Sequence, residues 1–224
     1  MPGQINRGSF LGEWVYKLSI NKNFKNYVEV GTWNGQGSTK CFVDGLTTRL
    51  DESTLYSLEA NIKFYEEATQ YWSPLQAVMK HSTPKLHLLY GRLIETEELV
   101  GEEEVRNHTR FKQHPWLEWR ERNIQEYGQC ENILDQLPSE IDVLLLDGGQ
   151  FSTRAEFHKL KDRTKVVLLD DTQSFKTEKA REDMLADPEV WTVIVDNESD
   201  RHGIFIACRK EYRDLLDLGG GLAT

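Results

Sequence analysis

Apolar runs rich in β-branched residues recur along the chain, with helix-compatible stretches between them. Tyr27-Val28-Glu29-Val30 runs into a glycine cluster, and Thr54-Leu55-Tyr56-Ser57-Leu58-Glu59 follows. Lys85-Leu86-His87-Leu88-Leu89-Tyr90, Ile141-Asp142-Val143-Leu144-Leu145-Leu146 and Lys165-Val166-Val167-Leu168-Leu169 continue the series. Several of these runs are continuously apolar instead of alternating, the pattern of strands covered on both faces. Strands separated by helical segments predict right-handed crossovers and a mostly parallel, doubly wound α/β sheet. After a helix near Glu178–Ala186, Trp191–Val195 and Gly203–Cys208 are close enough to pair as an antiparallel hairpin at the sheet edge.

One segment interrupts this rhythm. Residues 95–128 are dense in charge and carry Trp116 and Trp119 among polar neighbours. They read either as a solvated helical insertion pinned by its tryptophans or as a lid over a substrate, since long insertions in compact domains are often functional. The Gly219-Gly220-Gly221 tail reads as frayed.

Composition narrows the picture to one soluble domain. A length of 224 residues, 38% hydrophobic and 29% charged, suits a single α/β unit spanning 1–224. The net charge of -10 disfavours nucleic acid as a partner. No apolar run reaches membrane-spanning length, and the first residues lack the core of a signal peptide. Three widely spaced cysteines, Cys41, Cys130 and Cys208, suit a reducing compartment, so a cytoplasmic protein is expected. A homo-oligomer is left open.

The candidate chemistry starts in Glu29-Val30-Gly31-Thr32-Trp33-Asn34-Gly35-Gln36-Gly37-Ser38-Thr39, where a strand ends and a helix begins. Glycine there permits a sharp turn and close approach of a ligand. The new helix offers free N–H groups and the Ser38 hydroxyl. The spacing G-x-x-x-G-x-G is not the dinucleotide G-x-G-x-x-G, and a P-loop's Gly-Lys-Ser/Thr is absent. Glu29 would repel a pyrophosphate but would favour a cationic ammonium or sulfonium. Glu59, closing the second strand, is placed to accept both hydroxyls of a ribose.

On these residues the chain resembles class I S-adenosylmethionine-dependent methyltransferases across roughly residues 24–210. Glu29-x-Gly31-x-x-x-Gly35-x-Gly37 is similar to that family's first motif and Glu59 to its second. Asp147-Gly148-Gly149 and Asp170-Asp171-Thr172 resemble the small-molecule O-methyltransferases of catechol, macrolide-sugar and cephalosporin-tailoring type. The resemblance implies a Rossmann-like sheet ordered 3-2-1-4-5-7-6 with an antiparallel last strand. It implies S-adenosylmethionine held by Glu29, Gly31, Trp33, Gly35, Gly37, Ser38, Glu59, Gly91 and Asp147, and methyl transfer to a hydroxyl of a sugar- or catechol-like small molecule.

Neighbouring strands 4 and 5 would bring Asp147, Asp170 and Asp171 to one sheet edge. Three carboxylates repel unless a cation or proton compensates, and Mg²⁺ or another hard divalent ion is expected there. Asp147 and Asp170 then become candidates for the chemistry itself, while turn formation or helix capping is the competing role for Asp170-Asp171. The chain departs from catechol-type relatives at Gln150, where they carry a lysine base, and at Arg92, near the adenine. Among the histidines, His108 and His114 of the insertion are the candidates to reach an acceptor; His87, His158 and His202 read as structural or solvated. Two other functions stay open: a Rossmann-type oxidoreductase or sugar-nucleotide enzyme, and a non-catalytic nucleoside-binding module.

Overall fold

The computed structural model describes residues 3–79, 84–109 and 115–216. Seven strands form one sheet: β1 (Asn26–Val30), β2 (Thr54–Glu59), β3 (Lys85–Tyr90), β4 (Ile141–Leu146), β5 (Thr164–Asp170), β6 (Trp191–Asn197) and β7 (Ile204–Arg209). Their order is β3-β2-β1-β4-β5-β7-β6, as expected. The first five run parallel, and β7 is antiparallel to both β5 and β6.

Both faces of the sheet are covered, which is why its central strands lack alternation. Successive residues still point to opposite sides. Tyr27 packs with Leu11, Trp14 and Leu18 of α1 (Phe10–Ile20) and Phe42 of α2 (Ser38–Leu46). Val28 packs instead with Phe157 and Leu160 of α6 (Thr153–Leu160) and Met184 of α7 (Glu178–Leu185). Helix α3 (Ile62–Met79) joins the first of these layers through Trp72. Helix α1 has no counterpart in the sequence reading; Ser9 caps it, its hydroxyl accepting from Gly12 N at 3.1 Å. The one acid inside the β4 run is also accounted for. Asp142 accepts from Lys25 N (2.7 Å), Asn26 N (2.8 Å) and Lys165 Nζ (2.6 Å), stitching the start of β1 to β4 and β5.

The interrupting segment contains α4 (Glu102–Asn107) and α5 (Trp116–Gln129). Trp116 is buried with Phe151, Phe175, Ile94, Leu99 and Val105 in a third apolar cluster, so the segment is docked on the body through that ring. Arg92 fastens the far end of α5: its Nη1 donates to the carbonyls of Tyr127 (2.7 Å) and Cys130, and its Nη2 to Glu95 Oε2 (2.6 Å). The glycine tail and His114 lie outside the described residues. Among the described residues no helix is long and apolar enough to cross a membrane. Cys41, Cys130 and Cys208 are buried and unpaired.

Candidate functional site

The carboxyl ends of β1, β2, β4 and β5 open into one cleft of about 550 Å³, the place where open α/β sheets bind ligands. Of the residues the sequence singled out, Gly31, Trp33, Gly37, Ser38, Glu59, Gly91, Asp147, Asp170 and Asp171 line it. Glu29 and Gly35 do not. Lys176, Arg201, Gly3–Ile5 and three residues of α5 (Asn123, Glu126, Tyr127) also reach the wall.

The glycines of the first loop turn out to serve the fold as much as any ligand. Gly31 has φ +102°, and a Cβ there would fall 2.6 Å from the Asp147 carbonyl carbon and 2.9 Å from Gly148 N. Its smallness lets the ends of β1 and β4 touch. Gly35, at φ +75°, presses against α3: its carbonyl accepts from Trp72 Nε1 at 3.0 Å, and a Cβ would lie 2.6 Å from that nitrogen. Trp33 holds the left-handed φ of +48°, and its N–H donates to Glu59 Oε2 at 2.7 Å. Asn61 N donates to the other oxygen of Glu59 at 2.9 Å. Glu59 therefore clamps the loop from the cleft wall, and its burial raises its pKa.

Glu29 sits beneath this loop, not on the wall. Its Oε2 accepts from Thr39 Oγ1 (2.6 Å) and Ser57 Oγ (2.5 Å), joining β1, α2 and β2. Burial pushes its carboxyl to about 7, more than the hydroxyl hydrogen bonds pull it down. Glu29, expected to face a cationic ligand, braces the loop from below through this one oxygen.

At the other end of the cleft the three aspartates converge as expected, with one oxygen from each within 4.8 Å of the others. The compensating charges come from the chain. Lys176 Nζ donates to Asp147 Oδ1 and to Asp171 Oδ2 (2.9 Å), and Arg201 Nη2 donates to Asp170 Oδ2 (3.0 Å). Burial and the carboxylates of Asp147 and Asp171 push Asp170 to about 7. Burial likewise raises Asp147, against the pull of Lys176. Asp171 is also raised by burial, but Lys176 and Arg201 outweigh that and leave it lowered. For Lys176 burial opposes the charge, and the three aspartates more than restore it. Nothing local in Gln173-Ser174-Phe175-Lys176-Thr177 marks the lysine; only counting the charge of the acids would have asked for it.

Gln150 supports that lysine. With its amide oxygen turned toward the 174–176 backbone, it accepts from Phe175 N (3.2 Å), Ser174 Oγ (2.9 Å) and Lys176 N (3.2 Å). His108 pairs with Glu178 at 2.9 Å and is not on the wall. His87 stacks on Tyr56 with ring centroids 5.1 Å apart, and His158 pairs with Asp183 at 3.1 Å.

Glu156, on α6, was not foreseen. It is buried, lines the cleft and accepts from Tyr127 Oη at 2.5 Å, and burial lifts its carboxyl from 4.5 to about 7. Between those values the folded chain holds a proton that the unfolded chain has lost. Its contribution to stability is therefore full below about 4.5 and disappears as pH rises through about 7, an effect of up to roughly 3 kcal/mol. Glu156→Gln is expected to flatten this decline. Melting curves at pH 5, 6, 7 and 8 check it: a wild-type to variant difference that does not change with pH contradicts the assignment.

No protein-family model matches the chain, and no curated protein matches it in sequence. Solved structures do match in fold. The O-methyltransferase from Bacillus cereus, solved with SAH, is 16% identical at a TM-score of 0.54, over 89% of this chain and 80% of that one. The O-methyltransferase TomG from Streptomyces achromogenes, involved in tomaymycin synthesis and solved with SAM, is 15% identical at 0.53, over 89% and 79%. Cofactor-bound Rv0187 from MTB is 14% identical at 0.57, over 93% and 84%. The chain has the Rossmann-like fold of these three structures.

Proposed function

We propose that the chain binds S-adenosylmethionine in this cleft and transfers its methyl group to a hydroxyl oxygen of a small molecule. The observation that carries the reading is one continuous cleft with a nucleoside-type carboxylate, Glu59, at one end and a charged cluster at the other. The SAH and SAM found in similarly folded O-methyltransferases support the same ligand here. In this reading Glu59 takes the ribose hydroxyls, and the base lies by Ala60 and Leu93. Asn123 Oδ1, a buried acceptor with no partner among the described residues, receives the exocyclic amine. Helix α5 would thus supply the polar contact that Arg92, spent on fastening that helix, does not.

The reaction is an in-line displacement at carbon, and the cleft's task is to align donor and acceptor and exclude water. Asp170 is the proton acceptor: its Oδ1 has no partner among the described residues, and its carboxyl near 7 suits a base working at neutral pH. A divalent ion, expected from the three acids, does not fit them as placed. Lys176 already bridges one oxygen of Asp147 and one of Asp171, and Arg201 holds one of Asp170, so the chain's own cations answer the charge an ion would be needed for. Net charge, cleft size and the buried carboxylates favour a small acceptor over a polyanion.

Calorimetry tests the reading. S-adenosylhomocysteine is expected to bind, and NAD and ATP are not. Glu59→Ala is expected to weaken S-adenosylhomocysteine binding by roughly 1–3 kcal/mol, about 5- to 150-fold, through lost charge-assisted hydrogen bonds. Tight NAD binding with none for S-adenosylhomocysteine overturns it in favour of an oxidoreductase.

A further inference from the structure

We infer that Lys176 is a resident cation of the acid cluster, occupying the position a divalent ion would need, and that Gln150 is the residue that positions it. The chemistry this serves rests on the methyl-transfer reading; the ion pairs do not.

The first support is geometric. One ammonium bridges Asp147 and Asp171, which belong to the ends of different strands, and its residue is 8% exposed. An ion entering between those oxygens has to expel a buried charge that is satisfied there, leaving the ammonium to be desolvated elsewhere. The second is charge. Asp147, Asp170 and Asp171 against Lys176 and Arg201 leave a single negative charge in the cluster. A divalent ion added beside the ammonium would turn that into a net positive charge next to a sulfonium, and one that expelled the ammonium would leave the cluster neutral. With the ammonium alone the balance already favours a cationic methyl donor.

The third support is construction. The segment that bears Lys176 leaves β5 through Asp171 in the left-handed region (φ +60°) and turns back, Ser174 N donating to Asp171 O at 3.1 Å. Gln150, from the neighbouring loop after β4, then accepts from three successive residues, 174 to 176. Gln150 cannot be a base, but its amide fixes the backbone that carries one cationic side chain into the cluster. An ammonium has three N–H donors. Among the described residues two are taken by carboxylates, so one remains for an acceptor oxygen on the cleft wall.

This changes the class of acceptor. Chelation by a metal selects two vicinal oxygens, whereas a single N–H donor requires one. The acceptor is therefore a molecule presenting a lone hydroxyl beside Asp170, with no need for a diol or catechol.

The test uses Mn²⁺ alone, followed by loss of the free-ion electron paramagnetic resonance signal in the metal-stripped full chain. Wild type is expected to leave the signal unattenuated at submillimolar Mn²⁺. Lys176→Met, with the acids freed, is expected to bind at least tenfold more tightly than wild type. Gln150→Met, which keeps every charge but loses the prop, is expected to fall between them. Stoichiometric Mn²⁺ uptake by wild type, abolished in an Asp147→Asn chain whose circular dichroism matches wild type, overturns the inference. A folded Lys176→Met chain that still takes up no Mn²⁺ overturns it as well. Gln150→Met that melts lower yet matches wild type in Mn²⁺ removes Gln150 from it. Calorimetry with S-adenosylhomocysteine on the same wild-type sample separates the two readings: no binding there refutes methyl transfer and leaves the Mn²⁺ result standing.

Discussion

Gly31→Val is expected to lower folding stability by roughly 2–6 kcal/mol, with loss of ligand binding only as a consequence. A β-branched residue at φ +102° is strained by about 1–3 kcal/mol. Its Cβ also overlaps the Asp147 carbonyl group, where overpacking against backbone costs a similar amount. Urea denaturation followed by circular dichroism gives the value. A variant of wild-type stability that simply fails to bind S-adenosylhomocysteine would show that the glycine faces the ligand and not β4.

Lys176→Met is expected to reduce methyl transfer by about 10²- to 10³-fold while S-adenosylhomocysteine affinity changes less than about threefold. The ammonium belongs to the acceptor end, on the segment after β5, whereas Glu59 and the glycine loop lie after β2 and β1. Removing one member of a buried ion pair also costs about 3–5 kcal/mol, because two carboxylates are left facing each other. The double variant Lys176→Met with Asp147→Asn removes one positive and one negative charge and is expected to regain much of that stability without regaining activity. Single-turnover methyl transfer, alongside melting curves, separates the effects. Retained turnover in folded Lys176→Met contradicts a role for the ammonium in the reaction.

The sheet was legible because burial on both faces writes itself into sequence as unbroken apolar runs. Ile141–Leu146 is buried throughout, and even its odd residue, Asp142, is a solved structural problem. The β2 end of the cleft was legible at Glu59, whose place at a strand terminus is set by the topology. What was not legible depends on groups brought together by tertiary structure. Glu29 reads the same whether it faces a ligand or a hidden hydroxyl pair. Gly31 reads the same whether a ligand or the neighbouring strand comes close. Lys176 lies 29 residues from Asp147 and Arg201 31 from Asp170, and the five-residue step from Asp171 to Lys176 follows no pattern that marks an ion pair. The insertion was read two ways, as a solvated helical piece pinned by its tryptophans or as a lid; Trp116 packs on the body, while Asn123, Glu126 and Tyr127, further along α5, line the cleft.

The three cysteines give the folded chain a silent set of reporters. Cys41 lies in α2, Cys208 in β7, and Cys130 at the end of α5, each buried. Burial pushes the Cys41 thiol to about 12 and raises the other two, so the nucleophilic thiolate is scarce while the chain is folded. Alkylation then clocks local opening at three addresses: one helical layer, the inner antiparallel strand and the docked segment. Occupancy of the cleft can be read from which address slows, with no label added to the protein.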